Sequence, residues 1–190
     1  MEAMRYYPLF ADLNGKKCLV VGGGSVAERK ARALLRCQAL VEVVSPKITR
    51  GLSGLRDKGK ISWRRRGYSE DCLRGAFLVI AATDSRQTNS QVSGSCREKG
   101  ILVNVVDVPR ESNFIAPAFV EKGGLVIAIS TGGRAPCLAK KIRQELSADF
   151  LPRYGGLLKE VSGLREKLRS GCAGFKKRKN ALKKLIDSRI

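Results

Sequence analysis

The stretch Cys18-Leu-Val-Val-Gly-Gly-Gly-Ser-Val-Ala-Glu-Arg-Lys30 decides the fold. An apolar run enters a cluster of glycines, and beyond it Val26, Ala27, Ala31, Leu34 and Leu35 recur at helical spacing. Gly22 to Ala27 fits the pattern G-x-G-x-x-A. In a dinucleotide-binding turn, Gly22 permits the tight bend, Gly24 lets the backbone approach a pyrophosphate, and Ala27 keeps helix and strand close. The helix start then offers free N–H groups and the positive end of its dipole to phosphate. The motif is weak by itself, because a tight turn after a strand also uses glycines.

The surroundings extend the reading. Apolar runs at 17–21, 40–45, 61–65, 77–82 and 101–106 alternate with helical patterns at 26–37, 49–58 and 86–99, with a brief turn at 70–73. This order predicts βαβ units and a parallel sheet. Phe-Leu-Val-Ile-Ala-Ala and Ile-Leu-Val-Asn-Val-Val lack polar alternation, as strands covered on both faces do. The right-handed crossover then puts the glycine turn at the C-terminal edge of the sheet, where open α/β sheets bind ligands. After Pro109 two strand-like runs, 114–121 and 125–130, flank Lys122-Gly123-Gly124 and predict a hairpin. An isolated hairpin is marginal in water, so this one is expected to pack on the main domain or against a second chain. A helix is predicted over 137–150, and from Pro152 onward amphipathic helices broken near 155–156 and 170–174. The fold class is therefore α/β: a Rossmann-like, doubly wound parallel sheet followed by a β-hairpin and a small helical domain.

Composition bounds the chemistry. With 43% hydrophobic residues in 190, a packed core is within reach. No apolar run of about 18 residues occurs, and residues 1–14 lack the order of a signal peptide, so a cytoplasmic protein with no membrane contact is expected. Cys18, Cys37, Cys72, Cys96, Cys137 and Cys172 are scattered, and there is no histidine, so reduced thiols and no metal set are expected. Without histidine, proton chemistry falls to Asp, Glu, Lys, Tyr or Cys. The net charge of +20 allows three readings: a solvated surface, an anionic small substrate or nucleic acid. The excess is uneven, since residues 151–190 hold twelve basic and three acidic residues. Trp63-Arg-Arg-Arg66 and Phe175-Lys-Lys-Arg-Lys179 are the segments a nucleic-acid reading would use, yet aromatic residues make up only 6% of the chain, few for stacking on bases. A nucleotide sensor without turnover is a further alternative.

Candidate site residues sit at the predicted strand ends. Ser45-Pro46-Lys47 stands where a usual NAD site carries an acid for the ribose. Lys47 suits a 2′-phosphate, and Pro46 as a simple strand end is an equal reading. Thr83 and Asp84 close the fourth strand, either as contacts for a cofactor or as a cap for the next helix. Asn104-Val-Val-Asp107 closes the fifth, and Asp107 leaves an apolar run as a candidate general base, with a turn former as the alternative.

Taken together, Leu9-Phe, Val-Val-Gly-Gly-Gly-Ser-Val-Ala-Glu-Arg-Lys-Ala (20–31), Ala-Ala-Thr-Asp (81–84), Asn-Val-Val-Asp (104–107), Asn-Phe-Ile-Ala-Pro-Ala (113–118) and Ala-Ile-Ser-Thr-Gly-Gly-Arg-Ala-Pro (128–136) resemble the precorrin-2 dehydrogenase family, the siroheme synthase N-terminal module. That family also has Pro after its second strand. The resemblance implies oxidation of precorrin-2 to sirohydrochlorin with NAD. It further implies a homodimer with an NAD-binding domain (1–112), a dimerisation hairpin and helix (113–150) and a basic helical domain (151–190). Gly22, Gly24, Ser25 and Val26 would hold the pyrophosphate, Pro46 and Lys47 the adenosine end, and Thr83 and Asp84 the inner side of the cofactor. Asp107 would be catalytic, while Asn104, Ser130, Thr131 and Gly132 would face the polycarboxylate substrate. Some members also insert Fe²⁺ into the product; the sequence leaves that activity open, as it does NAD against NADP.

Overall fold

The computed structural model describes residues 6–170 and 174–189. The chain divides into two compact units, Met1–Ala116 and Pro117–Ile190.

The first unit is built on a five-stranded, wholly parallel sheet of order β3-β2-β1-β4-β5. Its elements are β1 (Lys17–Val21), α1 (Ser25–Arg36), β2 (Leu40–Val44), α2 (Arg50–Asp57), β3 (Ile61–Arg64), β4 (Leu78–Ala81), α3 (Arg86–Glu98) and β5 (Leu102–Val105), with a 3₁₀ turn at Glu70–Leu73. Alternation along the strands splits the core into two layers. Cys18, Val20, Val43 and Ile80 pack with Ala27, Ala31, Leu34 and Leu52 of α1 and α2. Leu19, Val21, Val44, Val79 and Val105 pack with Val92 and Cys96 of α3 and with Leu73. Full burial of each Val or Leu side chain contributes roughly 1.5–3 kcal/mol, which is why apolar runs without alternation form these central strands. Glu42, on the second of these faces, is held by Lys17 at 3.3 Å and by Arg64. The register pairs Val21 with both Val44 and Ala81, and Ala81 with Val105, so four strand ends align at one edge.

The second unit carries the antiparallel pair β6 (Ala118–Lys122) and β7 (Leu125–Ile129), then α4 (Pro136–Glu145), α5 (Leu151–Ser170) and α6 (Phe175–Asp187). Three expectations need correction here. The first hairpin strand begins at Ala118 rather than Phe114. Asn113 instead lies along β5: its N–H reaches the Val103 carbonyl at 3.0 Å, its Oδ1 accepts from Val103 N–H at 2.7 Å, and its Nδ2 donates to the Ile101 carbonyl at 2.9 Å. The helix predicted to Phe150 does not end there, because a wider helical turn over Leu146–Phe150 leads straight into α5, and Pro152 is tolerated in the first turn. Nor does the chain break at Gly155-Gly156. A Cβ on Gly155 would stand 3.0 Å from the Lys122 carbonyl, so this glycine permits close approach of β6 within a continuous helix. The predicted break at 170–174 falls between α5 and α6, and residues 171–173, including Cys172, lie outside the described residues. Among the described residues, no helix is long and apolar enough to cross a membrane.

Candidate functional site

The glycine turn joins β1 to α1 at the aligned edge. Gly22 has φ 125°, and a Cβ there would strike the Ala82 carbonyl. A Cβ on Gly23 would strike the Lys47 carbonyl. These two glycines bring the ends of β4 and β2 against the turn, a closeness no side chain allows. Gly24 differs: a Cβ there meets nothing within 4 Å, and the residue is the N-cap of α1 with no side chain bonding the first N–H groups. The N–H groups at Ser25 and Val26 therefore begin a helix facing open space, and Ala27 is fully buried beneath them. An uncapped helix start over a side-chain-free turn fits a dinucleotide pyrophosphate.

On the β2 side, Pro46 and Lys47 are exposed. The segment is pinned at both ends, since Gly22 N–H donates to the Val44 carbonyl at 2.9 Å and Thr49 N–H to the Gly23 carbonyl at 3.0 Å. Thr49, the N-cap of α2, also donates its hydroxyl to Glu28 at 2.5 Å. Bonds from Thr49 and Arg32 hold the Glu28 carboxyl below the usual carboxylate range.

On the β4 side, α3 is capped by Ser85, whose Oγ accepts from Thr88 N–H at 3.2 Å, so neither Thr83 nor Asp84 is the cap. Asp84 is exposed, while Thr83 turns toward the buried Asn89. At the end of β5, Asp107 stands at φ 61°, a left-handed conformation that Asp tolerates better than most residues. The turn that carries it is closed by Ser112, whose Oγ accepts from Val105 N–H at 2.9 Å. Asp84, Asn89 and Asp107 line one cleft of about 700 Å³ together with Val108 and Pro109. Asn104, one strand residue inward, is buried and donates its amide to the Phe114 carbonyl at 3.3 Å.

Two residues escaped sequence reasoning. Half-buried Lys30 of α1 has its ammonium pushed down by burial and by Arg29, against the opposing pull of Asp107, so the helix of the glycine turn reaches electrostatically to the end of β5. Asn89 is the other, and its signal was available: a polar residue at the spacing of Val92, Ser93 and Cys96, on the buried side of α3. In the second unit, Ser130, Thr131 and Gly132 form the turn between β7 and α4. Ser130 Oγ accepts from Gly132 N–H at 3.0 Å, and Thr131 Oγ1 accepts from Ala135 N–H at 3.1 Å.

Residues 9–118 match the NAD(P)-binding family NAD_binding_7. The chain belongs to this NAD(P)-binding family. Residues 122–148 of the same family member match a second family, described as sirohaem biosynthesis protein central. Siroheme synthase 1 of Aeromonas salmonicida is 40% identical over 97% of this chain, and siroheme synthase of Nitrosococcus oceani is 37% identical over 98%. This NAD(P)-binding chain spans 40% of the length of each of those two relatives. A solved structure titled "SirC, precorrin-2 dehydrogenase" superposes with a TM-score of 0.82 at 28% identity, covering 95% of this chain and 89% of that one. These matches agree with the resemblance carried by the six sequence motifs and with the Rossmann-like fold. They give no support to a nucleic-acid reading of the charge.

Proposed function

We propose that this protein oxidises precorrin-2 to sirohydrochlorin with NAD, in siroheme biosynthesis. The observation that carries the reading is the cleft shared by Asp84 and Asp107 at the sheet edge that also bears the glycine turn. In this reading Gly22, Gly24, Ser25 and Val26 hold the pyrophosphate, Pro46 and Lys47 receive the adenosine end, and Thr83 and Asp84 form the inner wall. NAD, when bound, supplies the hydride acceptor. Asp107 takes the proton that leaves the substrate as its ring conjugation extends, so one hydride and one proton depart together. The backbone that carries this carboxylate is held in a left-handed turn at φ 61°, closed by Ser112. Asn104, Ser130, Thr131 and Gly132 face the substrate, and the excess of Lys and Arg attracts its carboxylates before docking.

The hairpin and helix within 113–150 serve dimerisation, 151–190 form the basic helical domain, and the protein works in the cytoplasm. The relatives titled siroheme synthase support this placement in the pathway. The test is to mix purified protein with precorrin-2 and NAD and follow NADH and sirohydrochlorin together. Product in equal amounts supports the reading; binding of both ligands without turnover favours a sensor. A second arm supplies sirohydrochlorin with Fe²⁺ or Co²⁺ as substrate and separates metal insertion from dehydrogenation.

A further inference from the structure

Asn89 is buried on α3, and its whole side-chain amide is given to a single residue. Its Oδ1 accepts from Thr83 N–H at 3.2 Å and lies 2.8 Å from Thr83 Oγ1, while its Nδ2 donates to the Thr83 carbonyl at 2.9 Å. Both donors and the carbonyl of Thr83 are thus met from within the fold, the hydroxyl having the Ser85 carbonyl at 3.0 Å as its other acceptor. Bonds buried in this way are costly to leave unmade. The same Ala82–Asp84 turn is met from its other side by Gly22, where a Cβ would strike the Ala82 carbonyl and come within 3.2 Å of Thr83 N. Asn89 and Gly22 therefore hold one short segment between them. In a sheet of order β3-β2-β1-β4-β5, a dinucleotide crosses at the switch between β1 and β4, so the half over β4 is the nicotinamide half when the adenosine lies over β2.

We propose that Asn89 is a positioning residue for the nicotinamide half of the cofactor, fixing the Ala82–Asp84 turn against the glycine turn so that the slot over β4 keeps its shape. This rests on the dinucleotide reading given above. The adenosine half depends on other contacts, at Gly24 and Lys47, that Asn89 does not touch. The consequence is a split that a general loss of folding would not produce.

The test compares dissociation constants of NAD and of ADP, which lacks the nicotinamide half, by calorimetry on the full chain and on Asn89→Ala and Asn89→Asp. In Asn89→Ala the NAD constant rises about tenfold or more while that for ADP changes less than about twofold. Asn89→Asp keeps the oxygen that meets both Thr83 donors but sets a second, charged oxygen against the Thr83 carbonyl, so its NAD constant rises as well while that for ADP stays within about twofold. It also serves as the working variant should Asn89→Ala fail to fold. Unchanged NAD affinity in the variants, or equal losses for NAD and ADP, overturns the role of Asn89. Failure of the unaltered protein to bind NAD overturns the functional reading instead.

Discussion

The Thr49 hydroxyl donates to the Glu28 carboxylate at 2.5 Å while Thr49 N–H reaches the Gly23 carbonyl at 3.0 Å, so one residue fastens the start of α2 both to α1 and to the glycine turn. Arg32 adds a second bond to the same carboxylate, 2.7 Å from its Nη2. Both partners favour the charged form, and the Glu28 carboxyl is held below its ordinary range. Its contribution to stability is therefore complete above the unfolded value of about 4.3 and is lost as pH falls through the folded value. Glu28→Gln is expected to lower unfolding stability by about 1 kcal/mol at pH 7. The gap between wild type and variant should narrow on acidification below about pH 4, as read by denaturant titration at several pH values.

The glycines of the turn separate fold from ligand binding. Gly22→Ala places a Cβ against the Ala82 carbonyl at a φ of 125°, so it should cost about 1–3 kcal/mol of stability and weaken NAD binding together. Gly24→Ala meets nothing within 4 Å and sits at φ −81°, so its stability should stay within about 0.5 kcal/mol of wild type. NAD affinity should still fall, because the added methyl stands where the backbone must approach the pyrophosphate. Thermal melts beside NAD titrations distinguish the two outcomes.

Burial pushes the Cys18 and Cys96 thiols up to about 11, with Cys37 adding to the effect on Cys18. Cys72 is also buried, whereas Cys37 and Cys137 are exposed. Alkylation of the native protein near pH 8, read by peptide mass mapping, should label Cys37 and Cys137 within minutes and spare Cys18, Cys72 and Cys96 until denaturant is added. Rapid native labelling of Cys18 would contradict the packing of β1 against α1.

Asp107 holds a left-handed backbone that glycine adopts without penalty and alanine does not. Asp107→Gly should therefore be at least as stable as wild type, and Asp107→Ala less stable by about 1 kcal/mol, although both lose the carboxylate. Chemical denaturation measures the difference. Opposite ranks would show that the turn is not under this constraint.

Much of the first unit was legible because its strands are buried on both faces and its turns are marked by glycine. The run of residues 77–82 extends one residue beyond β4 at each end, and Phe77 and Ala82 still donate their N–H groups to the Lys17 and Val21 carbonyls of β1, at 2.9 and 2.8 Å. Asp107 and Asp84 were found by their place at strand ends. Asn89 and Lys30 were not: the spacing of Asn89 with Val92, Ser93 and Cys96 marks it as buried, but the strand end it serves shows only in three dimensions. The start of β6 was placed at Phe114 rather than Ala118 because the apolar run begins there, and the bonds that tie the neighbouring Asn113 to Ile101 and Val103 of the sheet show only in three dimensions. Gly155 looked like a break because a close approach and a turn both call for a missing Cβ.

The most direct test of the account is the rate of NADH formation from precorrin-2 and NAD by wild type and by Asp107→Asn, which suits the same left-handed backbone and removes only the carboxylate's charge. The expected result is NADH and sirohydrochlorin in equal amounts from wild type, and a rate lower by about 10²–10⁴-fold in the variant with NAD affinity retained. A variant within a few-fold of wild type, or a wild type that binds NAD and precorrin-2 yet forms no NADH, would contradict it.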